Sequence, residues 1–499
     1  MNILYVLLAI AIVLCGLMVV RYKAQTLPIR GPKPQFFWGT FWNMYQSRDR
    51  IPDWLYEKTM DANGKTWTFS MPNSPPMVCV TTPENLKYIL KDNFSNYEKG
   101  ILFREVLQEL LGDGIFNTDG KKWQEQRRLA VQQFKRKSLH EHMSAVMIAH
   151  SNIVLNHLEN HADKQKSVDL QRVFYAFTLD SFSEIALGHN IDSINTKSNF
   201  SDAFDRAQYL INRRFTTPWW RIEKILGIGR ERELYQSVQL LNEFVKQIVV
   251  NKRKLSPKDN TSNKDFLSCF IQELNNSTTQ PEVEDEASDS YLIDIVMNFM
   301  IAGRDTTAGA LTWVFYRFWK HPEEYSRVFN EIQQVIGDTP MAYDHIGMLP
   351  YTRAFLFETL RLNPSVSKNL KYAVQNDVLP DGTVISTGTG IVYSSYVMGK
   401  MKDIWGDDVN EFKPMRWIET HENGTQKFKD VDPYRYPQFN AGLRICLGKH
   451  MAIMETEIII CQLLRRFTFS LAMNEKDLEY TDTLTLSMKN GLFMNVKAI

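Results

Sequence analysis

The chain has 499 residues, of which 58 are Lys or Arg and 57 are Asp or Glu, so its formal net charge is only +1. That balance excludes a protein held to nucleic acid by its overall electric field, and the 12% of aromatic and 23% of charged residues exclude a largely disordered chain. The five cysteines are too few and too scattered for a disulfide scaffold, which favours a reducing compartment in which any special Cys does chemistry.

The first predicted element is an uncharged apolar helix from Ile3 to Val20. Such a helix would be roughly 27 Å long, about the thickness of one hydrocarbon core. A secretory signal peptide is the alternative, but its cations would precede the apolar run, whereas Arg21 and Lys23 follow it. By the positive-inside rule, the chain after the run is cytosolic. We therefore predict a membrane anchor at 1–22, a linker and membrane-proximal segment at 23–45, and a folded domain at 46–499.

After the anchor, helical periodicity dominates the sequence and strand signals are short. Helices are predicted over residues 123–137, 171–188, 231–252, 265–274, 291–320, 322–336, 351–362 and 449–467. Strands are predicted over residues 66–70, 77–81, 371–373, 391–395 and 493–496, with a tight turn at 380–383. Two polar stretches, 251–264 and 275–290, are predicted to be exposed loops. The predicted fold class is therefore mainly α with a small β-sheet region.

The most informative motif is the segment FNAGLRICLG at 439–448, which leads into the last predicted helix. A cysteine thiolate can bind haem iron, and Cys446 lies at a helix N-terminus, where the dipole favours an anionic sulfur. Gly442 and Gly448 allow a tight loop and a close approach of the chain to a cofactor. Arg444 supplies a fixed cation for a haem propionate. The alternative is a buried structural Cys in a glycine loop.

This pattern, F-x-x-G-x-R-x-C-x-G, resembles the haem-binding signature of the cytochrome P450 family. The resemblance implies the cytochrome P450 fold behind an N-terminal transmembrane helix, with residues 46–499 as the haem-thiolate catalytic domain. It also implies haem b (iron protoporphyrin IX) as the cofactor, Cys446 as the metal ligand, and Phe439, Gly442 and Arg444 as cofactor-binding residues. The activity it implies is a monooxygenase that inserts one oxygen atom of O₂ into a C–H bond of a lipophilic substrate.

A second motif, E-x-x-R, is formed by Glu358 and Arg361, whose spacing places an acid and a base on one helix face. By itself it would usually be a solvated surface pair. The segment PMRW at 414–417 resembles the family's P-x-R-F/W element, although Met415 stands where many members have Glu. The resemblance implies that Glu358, Arg361 and Arg416 form a buried structural network behind the haem.

The predicted helix from residue 123 carries Trp123 and Arg127, which resemble the family's W-x-x-x-R motif. Their i,i+4 spacing aims an indole N–H and a guanidinium at the same place. The resemblance implies that this place is a haem propionate, whereas the alternative is an amphipathic helix with a core Trp. Lys371, ten residues after Arg361, lies where many members carry another propionate-binding cation.

The longest predicted helix contains AGRDTT at 302–307, which resembles the family's A/G-G-x-D/E-T-T/S motif. A Thr in mid-helix can bond back to a carbonyl and bend the helix, while a Gly loosens the same turn. The resemblance implies that the Thr306 hydroxyl assists oxygen activation and that Asp305 helps to relay protons from solvent. The alternative is a kinked helix of the core.

Among family members, the chain most resembles the fatty-acid omega-hydroxylases. The segments that carry this resemblance are GDGIFN at 112–117, PDG at 380–382 and YSSYVMG at 393–399. The resemblance implies omega-hydroxylation of a fatty acid in an apolar pocket. The candidate lining residues are Phe94, Tyr97, Phe103, Leu107, Phe116, Phe215, Phe299, Ala302, Val366 and Leu370.

The sequence contains no flavin or nicotinamide fingerprint, so electrons must come from outside the chain. The resemblance implies NADPH as their source, through a separate flavoprotein reductase, and the endoplasmic reticulum membrane as the location, with the catalytic domain cytosolic. An acidic reductase would suit a basic patch by electrostatic steering. The candidate patch residues are Lys121, Lys122, Arg128, Lys135, Arg136 and Lys137.

Three alternatives stay open at this point. The first is a monooxygenase of sterols, terpenoids or xenobiotics. The second is a non-catalytic membrane haem-binding protein, which would have no use for the proton relay that Asp305 and Thr306 suggest. The third is an isomerase-type member that rearranges peroxides without O₂, and the intact Thr306 argues against it.

Overall fold

The computed structural model describes residues 31–35, 38–71, 75–134, 137–196, 199–217, 219–254, 265–277 and 286–499. The predicted anchor at 1–22 lies outside the described residues, as do parts of the predicted linker and of both predicted polar loops. Among the described residues, no helix has the length and apolar character needed to cross a membrane.

Helices form most of the regular structure, as the sequence predicts. We number them α1 (Phe41–Gln46), α2 (Ile51–Asp61), α3 (Pro83–Lys87), α4 (Gly100–Leu111), α5 (Gly120–Phe134), α6 (Lys137–Asp163), α7 (Leu170–Leu187), α8 (Asn199–Arg213), α9 (Trp220–Leu226), α10 (Gly229–Lys254), α11 (Phe266–Ser277), α12 (Glu286–Lys320), α13 (Pro322–Val335), α14 (Pro350–Leu362), α15 (Ser395–Met398), α16 (Lys402–Trp405) and α17 (Lys449–Leu464).

The strands are short and gather in small sheets. They are β1 (Trp67–Phe69), β2 (Met77–Val80), β3 (Tyr97–Glu98), β4 (Val168–Asp169), β5 (Asn369–Ala373), β6 (Asp377–Val378), β7 (Val384–Ile385), β8 (Gly390–Tyr393), β9 (Ile418–Thr420), β10 (Gln426–Phe428), β11 (Phe467–Leu471), β12 (Tyr480–Asp482), β13 (Leu486–Met488) and β14 (Phe493–Ala498). The predicted class, mainly α with a small β-sheet region, is confirmed.

The largest sheet has the strand order β1-β2-β8-β5-β3. Strands β2 and β8 are parallel, with Val78 opposite Ile391, whereas the other pairs are antiparallel. A three-stranded sheet, β11-β14-β4, joins the chain end to the start of α7. The predicted turn at 380–383 connects β6 and β7, which pair with each other.

The long helix α12 is the centre of the larger hydrophobic core. A helix that is apolar on most of its surface is buried on most of its surface, and α12 packs most extensively against α7. The rings of Phe174 on α7 and Phe315 on α12 are 5.0 Å apart. Asp169 caps the N-terminus of α7, where its carboxylate accepts from the backbone N–H of Gln171, and Gly188, in the left-handed conformation, caps the C-terminus. A second core lies against the five-stranded sheet.

The structure differs from the sequence prediction in element boundaries and in elements that were not predicted, and residues 251–254, 275–277 and 286–290 of the two predicted polar loops are helical. The last predicted helix ends at Leu464 rather than at residue 467, because Phe467 begins β11. The helix predicted from Trp123 stops at Phe134, and α6 follows it after two residues. Helices α1–α4, α6, α8, α9, α15 and α16 were not predicted, and neither were strands β3, β4, β6, β7 and β9–β13.

Candidate active site

The site is a cavity of about 530 Å³ between α12, α5 and the loop before α17. Cys446 lies in its wall, together with Thr306 of α12 and Trp123 of α5. Its wall also includes side chains of α4, of the segment before α9 and of strand β5. The structure therefore brings the Cys446 loop, the Trp123 helix and the Thr306 segment of α12 to one cavity.

The loop that carries Cys446 is a tight turn closed by its own backbone. The Cys446 N–H donates to the Phe439 carbonyl at 2.8 Å. Gly442 has a φ of +62°, and a Cβ there would lie 2.0 Å from the Leu90 carbonyl oxygen, so a side chain at this position is excluded. Gly448 lines the cavity, and a Cβ at that position would meet no protein atom within 4 Å. Gly442 therefore allows a close approach to the Leu90 backbone, whereas Gly448 faces open space, where no protein atom would meet a side chain.

The Cys446 side chain is accessible from the cavity although protein surrounds the loop. Burial raises the pKa of the thiol, while the Gly448 backbone N–H and the Arg127 guanidinium act to lower the pKa. A metal ion bound to the sulfur would deprotonate it outright. Backbone dipoles and Arg127 thus favour a negative charge on the sulfur, but burial opposes it. A metal cation bound at the cavity would make the sulfur a thiolate.

Three buried basic side chains lie close together at one side of the cavity, and Lys99 and Arg444 line it, whereas Lys371 does not. Lys99, Lys371 and Arg444 are 8%, 1% and 9% exposed, and the carboxylate of Asp119 lies 2.6 Å from the Arg444 guanidinium. Burial, followed by repulsion from Arg444, lowers the pKa of Lys99 to about 7 and the pKa of Lys371 well below its usual range. The Nε of Arg444 has no hydrogen-bond partner among the described residues. Buried charge of one sign is costly without a counter-ion.

The two carboxylates of a haem would favour the protonated forms of these buried lysines and give the Arg444 Nε an acceptor, so the group fits the propionates of a haem. Trp123 and Arg127 complete the group, since the Arg444 guanidinium lies 4.5 Å from the centre of the Trp123 ring and Arg127 donates to the Ile445 carbonyl at 2.7 Å. The sequence-predicted set of Trp123, Arg127, Lys371 and Arg444 is therefore together in space. Sequence reasoning missed Lys99, because a single Lys outside any motif gives no signal.

The residues present thus fit the haem that the Cys446 loop implies. Cys446 would bind its iron, and the buried cations would bind its propionates. When bound there, a haem with a thiolate on its iron supplies the activation of O₂. Phe439 lines the same cavity and Gly442 supports the loop from behind.

The predicted structural network lies outside the cavity and is fully bonded. Each oxygen of Glu358 is 2.8 Å from a nitrogen of Arg361, and both side chains are completely buried. Glu358 also accepts from Arg416 Nε at 3.3 Å and from Trp417 Nε1 at 2.9 Å. Arg361 donates further to three backbone carbonyls, those of Gly399, Val409 and Glu411. Every charged group of this network therefore has partners within the described part of the chain.

On α12, the structure separates the two predicted catalytic residues. The Thr306 hydroxyl donates to the Ala302 carbonyl at 2.7 Å, as the motif predicts, and lines the cavity. Asp305 does not line the cavity, and its carboxylate lies 2.9 Å from Arg304. Burial raises the pKa of Asp305 to about 6, against the attraction of Arg304. Gly303 has a packing role, since a Cβ there would lie 2.2 Å from the Phe182 ring.

A carboxyl group that sequence reasoning missed also lines the cavity. Glu455 of α17 is 1% exposed and accepts a hydrogen bond from the Ser181 hydroxyl at 2.6 Å. Its other hydrogen-bonding neighbour is Thr307, adjacent to Thr306. Burial raises the pKa of Glu455 to about 8, so it holds a proton at neutral pH.

The apolar part of the wall contains most of the predicted pocket residues. Those that line the cavity are Phe103, Leu107, Phe116, Phe215, Phe299, Ala302, Val366 and Leu370. Phe94 and Tyr97 do not line it; the Phe94 ring packs 5.4 Å from Trp123 and the Tyr97 hydroxyl donates to Asp377. The turn between β12 and β13 contributes Leu484, which no sequence pattern indicated.

The cavity and its loop agree with what comparison to known proteins finds. The family model for cytochrome P450 matches residues 31–494. The crystal structure of the cytochrome P450DA heme domain has a TM-score of 0.78 over 94% of this chain and 97% of that chain, at 19% identity, which shows the fold.

Curated relatives match along most of their length. Cytochrome P450 94A1 of Vicia sativa is 34% identical over 445 residues, which are 87% of this chain and 84% of that protein. Cytochrome P450 704C1 of Pinus taeda is 33% identical over 488 residues, 92% of this chain and 91% of that protein. Cytochrome P450 94C1 of Arabidopsis thaliana is 36% identical over 431 residues, 83% of each. With Cys446 and its cation cluster at one cavity, these matches show that the chain belongs to the cytochrome P450 family and is a monooxygenase.

Proposed function

We propose that this monooxygenase hydroxylates fatty acids at the terminal (omega) carbon. The observation that carries the proposal is one cavity whose wall joins Cys446, a mainly apolar lining and a cation, Arg48, whose ion pair with Asp49 is long, at 3.9 Å. A fatty acid has an apolar chain and one carboxylate, so it matches both kinds of wall. Fixing the carboxylate would orient the chain and limit which carbon reaches the reacting centre.

Most other cations of the cavity wall already have acidic partners. Arg214 lies 2.5 Å from Glu231, Arg221 lies 2.7 Å from Glu105, and Lys368 lies 2.5 Å from Asp482. Lys99, Arg127 and Arg444 belong to the haem-binding group described above.

Arg48, in the turn between α1 and α2, differs from these cations. Its Nε is 3.9 Å from Asp49, its nearest described carboxylate, and Asp49 is held at 2.5 Å by Arg213. Its guanidinium donates to the Tyr45 carbonyl at 3.0 Å and is half-exposed. We assign to Arg48 the role of binding the substrate carboxylate.

The test is turnover of medium- and long-chain fatty acids by the enzyme with a reductase, with the position of the new hydroxyl group identified. We expect the terminal alcohol as the main product from the acids. Arg48→Gln should raise KM for an acid by about tenfold and leave KM for its methyl ester unchanged. Arg50→Gln is the matched control, because Arg50 is exposed, pairs with Glu57 and does not line the cavity. Oxidation of sterols or terpenoids with no fatty-acid turnover would contradict the proposal.

We propose NADPH as the electron source, through a flavoprotein reductase that docks near α5. Support comes from the basic residues of this helix, of which Lys121 is exposed, Lys122 pairs with Asp113 at 2.6 Å, and Arg128 is 3.7 Å from Glu273. The other predicted patch residues, 135–137, have side chains outside the described part of the chain. Lys121→Glu should slow reduction and flatten its dependence on salt. Lys497→Glu, at an exposed position of β14, is the control, and equal rates in both variants would contradict the docking site.

We also propose attachment to the endoplasmic reticulum membrane by residues 1–22, with the catalytic domain cytosolic. Exposed apolar side chains on α9 support a further contact with lipid, since Ile222, Ile225 and Leu226 are 61%, 84% and 61% exposed. Deleting residues 1–22 should weaken membrane attachment, and adding Ile225→Asp and Leu226→Asp should weaken it further. Equal detergent-free solubility of the full chain and the deletion variant would contradict the anchor.

A further inference from the structure

We infer that Asn298, whose side chain lies outside the cavity, is a positioning residue that sets which C–H bond of the substrate is oxidised. It acts through the turn at 112–117, between α4 and α5. Ile115 and Phe116 of this turn line the cavity, as does Phe299, the neighbour of Asn298 on α12. The turn therefore forms part of the wall against which a substrate would lie.

The Asn298 amide binds this turn from both sides. Its oxygen accepts from the Phe116 backbone N–H at 3.0 Å, and its nitrogen donates to the Leu111 carbonyl at 2.8 Å. The same nitrogen donates to the Asp294 carbonyl at 2.7 Å, which fixes the amide on α12. The side chain is completely buried, so water cannot replace these bonds.

A second acceptor, one helical turn away, supports the same segment. The Asp294 carboxylate accepts from the Asp113 backbone N–H at 2.8 Å. Asp294 and Asn298 are four residues apart and therefore lie on one face of α12. Together they hold the backbone of the turn at two points, residues 113 and 116.

Two glycines allow α12 to approach the turn this closely. A Cβ at Gly112 would lie 2.0 Å from the Asp294 carboxylate, and a Cβ at Gly114 would lie 2.0 Å from the Asn298 amide nitrogen. Gly112 also has a φ of +50°, whereas the φ of Gly114 is not in the left-handed region. An alanine at Gly114 would therefore be excluded by the Asn298 side chain and not by the backbone conformation.

From this geometry it follows that the place of Ile115 and Phe116 depends on a residue that no substrate touches. A displacement of about 1 Å in a wall can change which carbon is presented to the reacting centre. Loss of the amide should therefore change the distribution of products more than the amount of bound haem.

The test uses Asn298→Leu, which keeps the size of the side chain and removes its hydrogen bonds, in the haem-loaded enzyme with a reductase. The ratio of terminal to in-chain products should change by about fivefold or more, while the Soret band of the reduced, carbon-monoxide-treated protein stays the same. Asn298→Asp keeps an acceptor for the Phe116 N–H and should retain more of the wild-type ratio. Thr312→Val is the matched control, because Thr312 is also completely buried on α12 and does not line the cavity.

An unchanged product ratio in haem-loaded Asn298→Leu would overturn the inference. If that variant binds no haem, the same criterion applies to Gly114→Ala. Gly114→Ala should change the product ratio when it is the only substitution. It should have a smaller effect when combined with Asn298→Ala, because that substitution removes the clash. Equal effects in both backgrounds would also overturn it.

The choice of a fatty acid as the test substrate rests on the proposed function. Failure of the proposed function and failure of the inference on Asn298 give different results. If the wild type forms no terminal alcohol from any fatty acid, the proposed function fails. The ratio of product positions is then measured on the lipophilic compound that the wild type does oxidise, and Asn298→Leu must still change it.

Discussion

The carboxylate of Asp305 lies 2.9 Å from the guanidinium of Arg304, its neighbour on α12. Arg304 in turn lies 2.6 Å from Asp205, whose side chain is 60% exposed. A buried acid next to a cavity-lining Thr is thus connected through one cation to an acid at the surface. The predicted role of Asp305 in proton relay needs a connection of this kind between the buried acid and the surface.

If Asp305 relays protons, Asp305→Asn should lower the rate of product formation by roughly a hundredfold. Substrate binding, measured by the shift of the Soret band, should not change, because Asp305 does not line the cavity. The solvent isotope effect on turnover should rise, since proton delivery becomes slower. Asp205→Asn, at the exposed end, is the control and should have a smaller effect. Wild-type turnover in Asp305→Asn would remove this residue from the mechanism.

The Thr306 hydroxyl is expected to hold a proton at Oγ1 beside the reacting centre. Thr306→Ala should therefore increase the hydrogen peroxide released per NADPH consumed and decrease the product formed. Thr312→Ala provides a matched control, because its hydroxyl makes the same bond to the carbonyl four residues back, at 2.8 Å, away from the cavity. Equal coupling in the two variants would show that the hydroxyl at 306 has no part in the reaction.

Short-range patterns were enough to predict the centre of the site. The residues that define the Cys446 loop lie within ten positions of each other, and the Thr306 hydroxyl bonds to a carbonyl four residues away. Both features can therefore be recognised from local sequence. Lys99 and Glu455 could not be found in this way. Their roles depend on burial and on partners far along the chain, such as Ser181 for Glu455.

The missed helix α6 shows why a regular element can escape prediction. Its buried face follows a helical period and is formed by Met143, Val146, Met147, His150, Ser151, Val154, Leu155 and Leu158. His150 and Ser151 interrupt the apolar stripe. They are tolerated there because His150 lies 2.7 Å from Glu184 of α7 and Ser151 accepts from the Gln462 amide of α17 at 3.2 Å. Such tertiary partners cannot be read from the spacing of apolar residues.

Because the Glu358 carboxylate holds Arg361 in a completely buried pair, Glu358→Gln should lower the free energy of unfolding by about 3–5 kcal/mol. The variant leaves the Arg361 charge without its counter-ion, so we expect little haem-loaded protein. Asp407→Asn breaks an exposed pair with Lys402 and should have little effect. Haem content and denaturant unfolding measure both variants, and normal stability of Glu358→Gln would contradict a structural role for the network.

Glu455 should make stability depend on pH in a predictable direction. Burial raises its pKa in the folded protein to about 8 from an ordinary value of 4.5. Between these two pH values the folded state keeps a proton that the unfolded state has lost, so the contribution of Glu455 to stability falls as pH rises from 4.5 to 8. Glu455→Gln keeps an oxygen that can accept from Ser181 and has no proton to lose.

The stability of Glu455→Gln relative to wild type should therefore improve as pH rises from about 5 to 8, by at most about 1.4 kcal/mol per pH unit. Unfolding of the haem-loaded proteins in denaturant at several pH values measures this difference. Glu422→Gln, at an exposed position, is the control and should follow the wild type at each pH. A difference between Glu455→Gln and wild type that does not change with pH would mean that Glu455 is already ionised in the folded protein. In that case it could not hold a proton next to Thr307 at neutral pH.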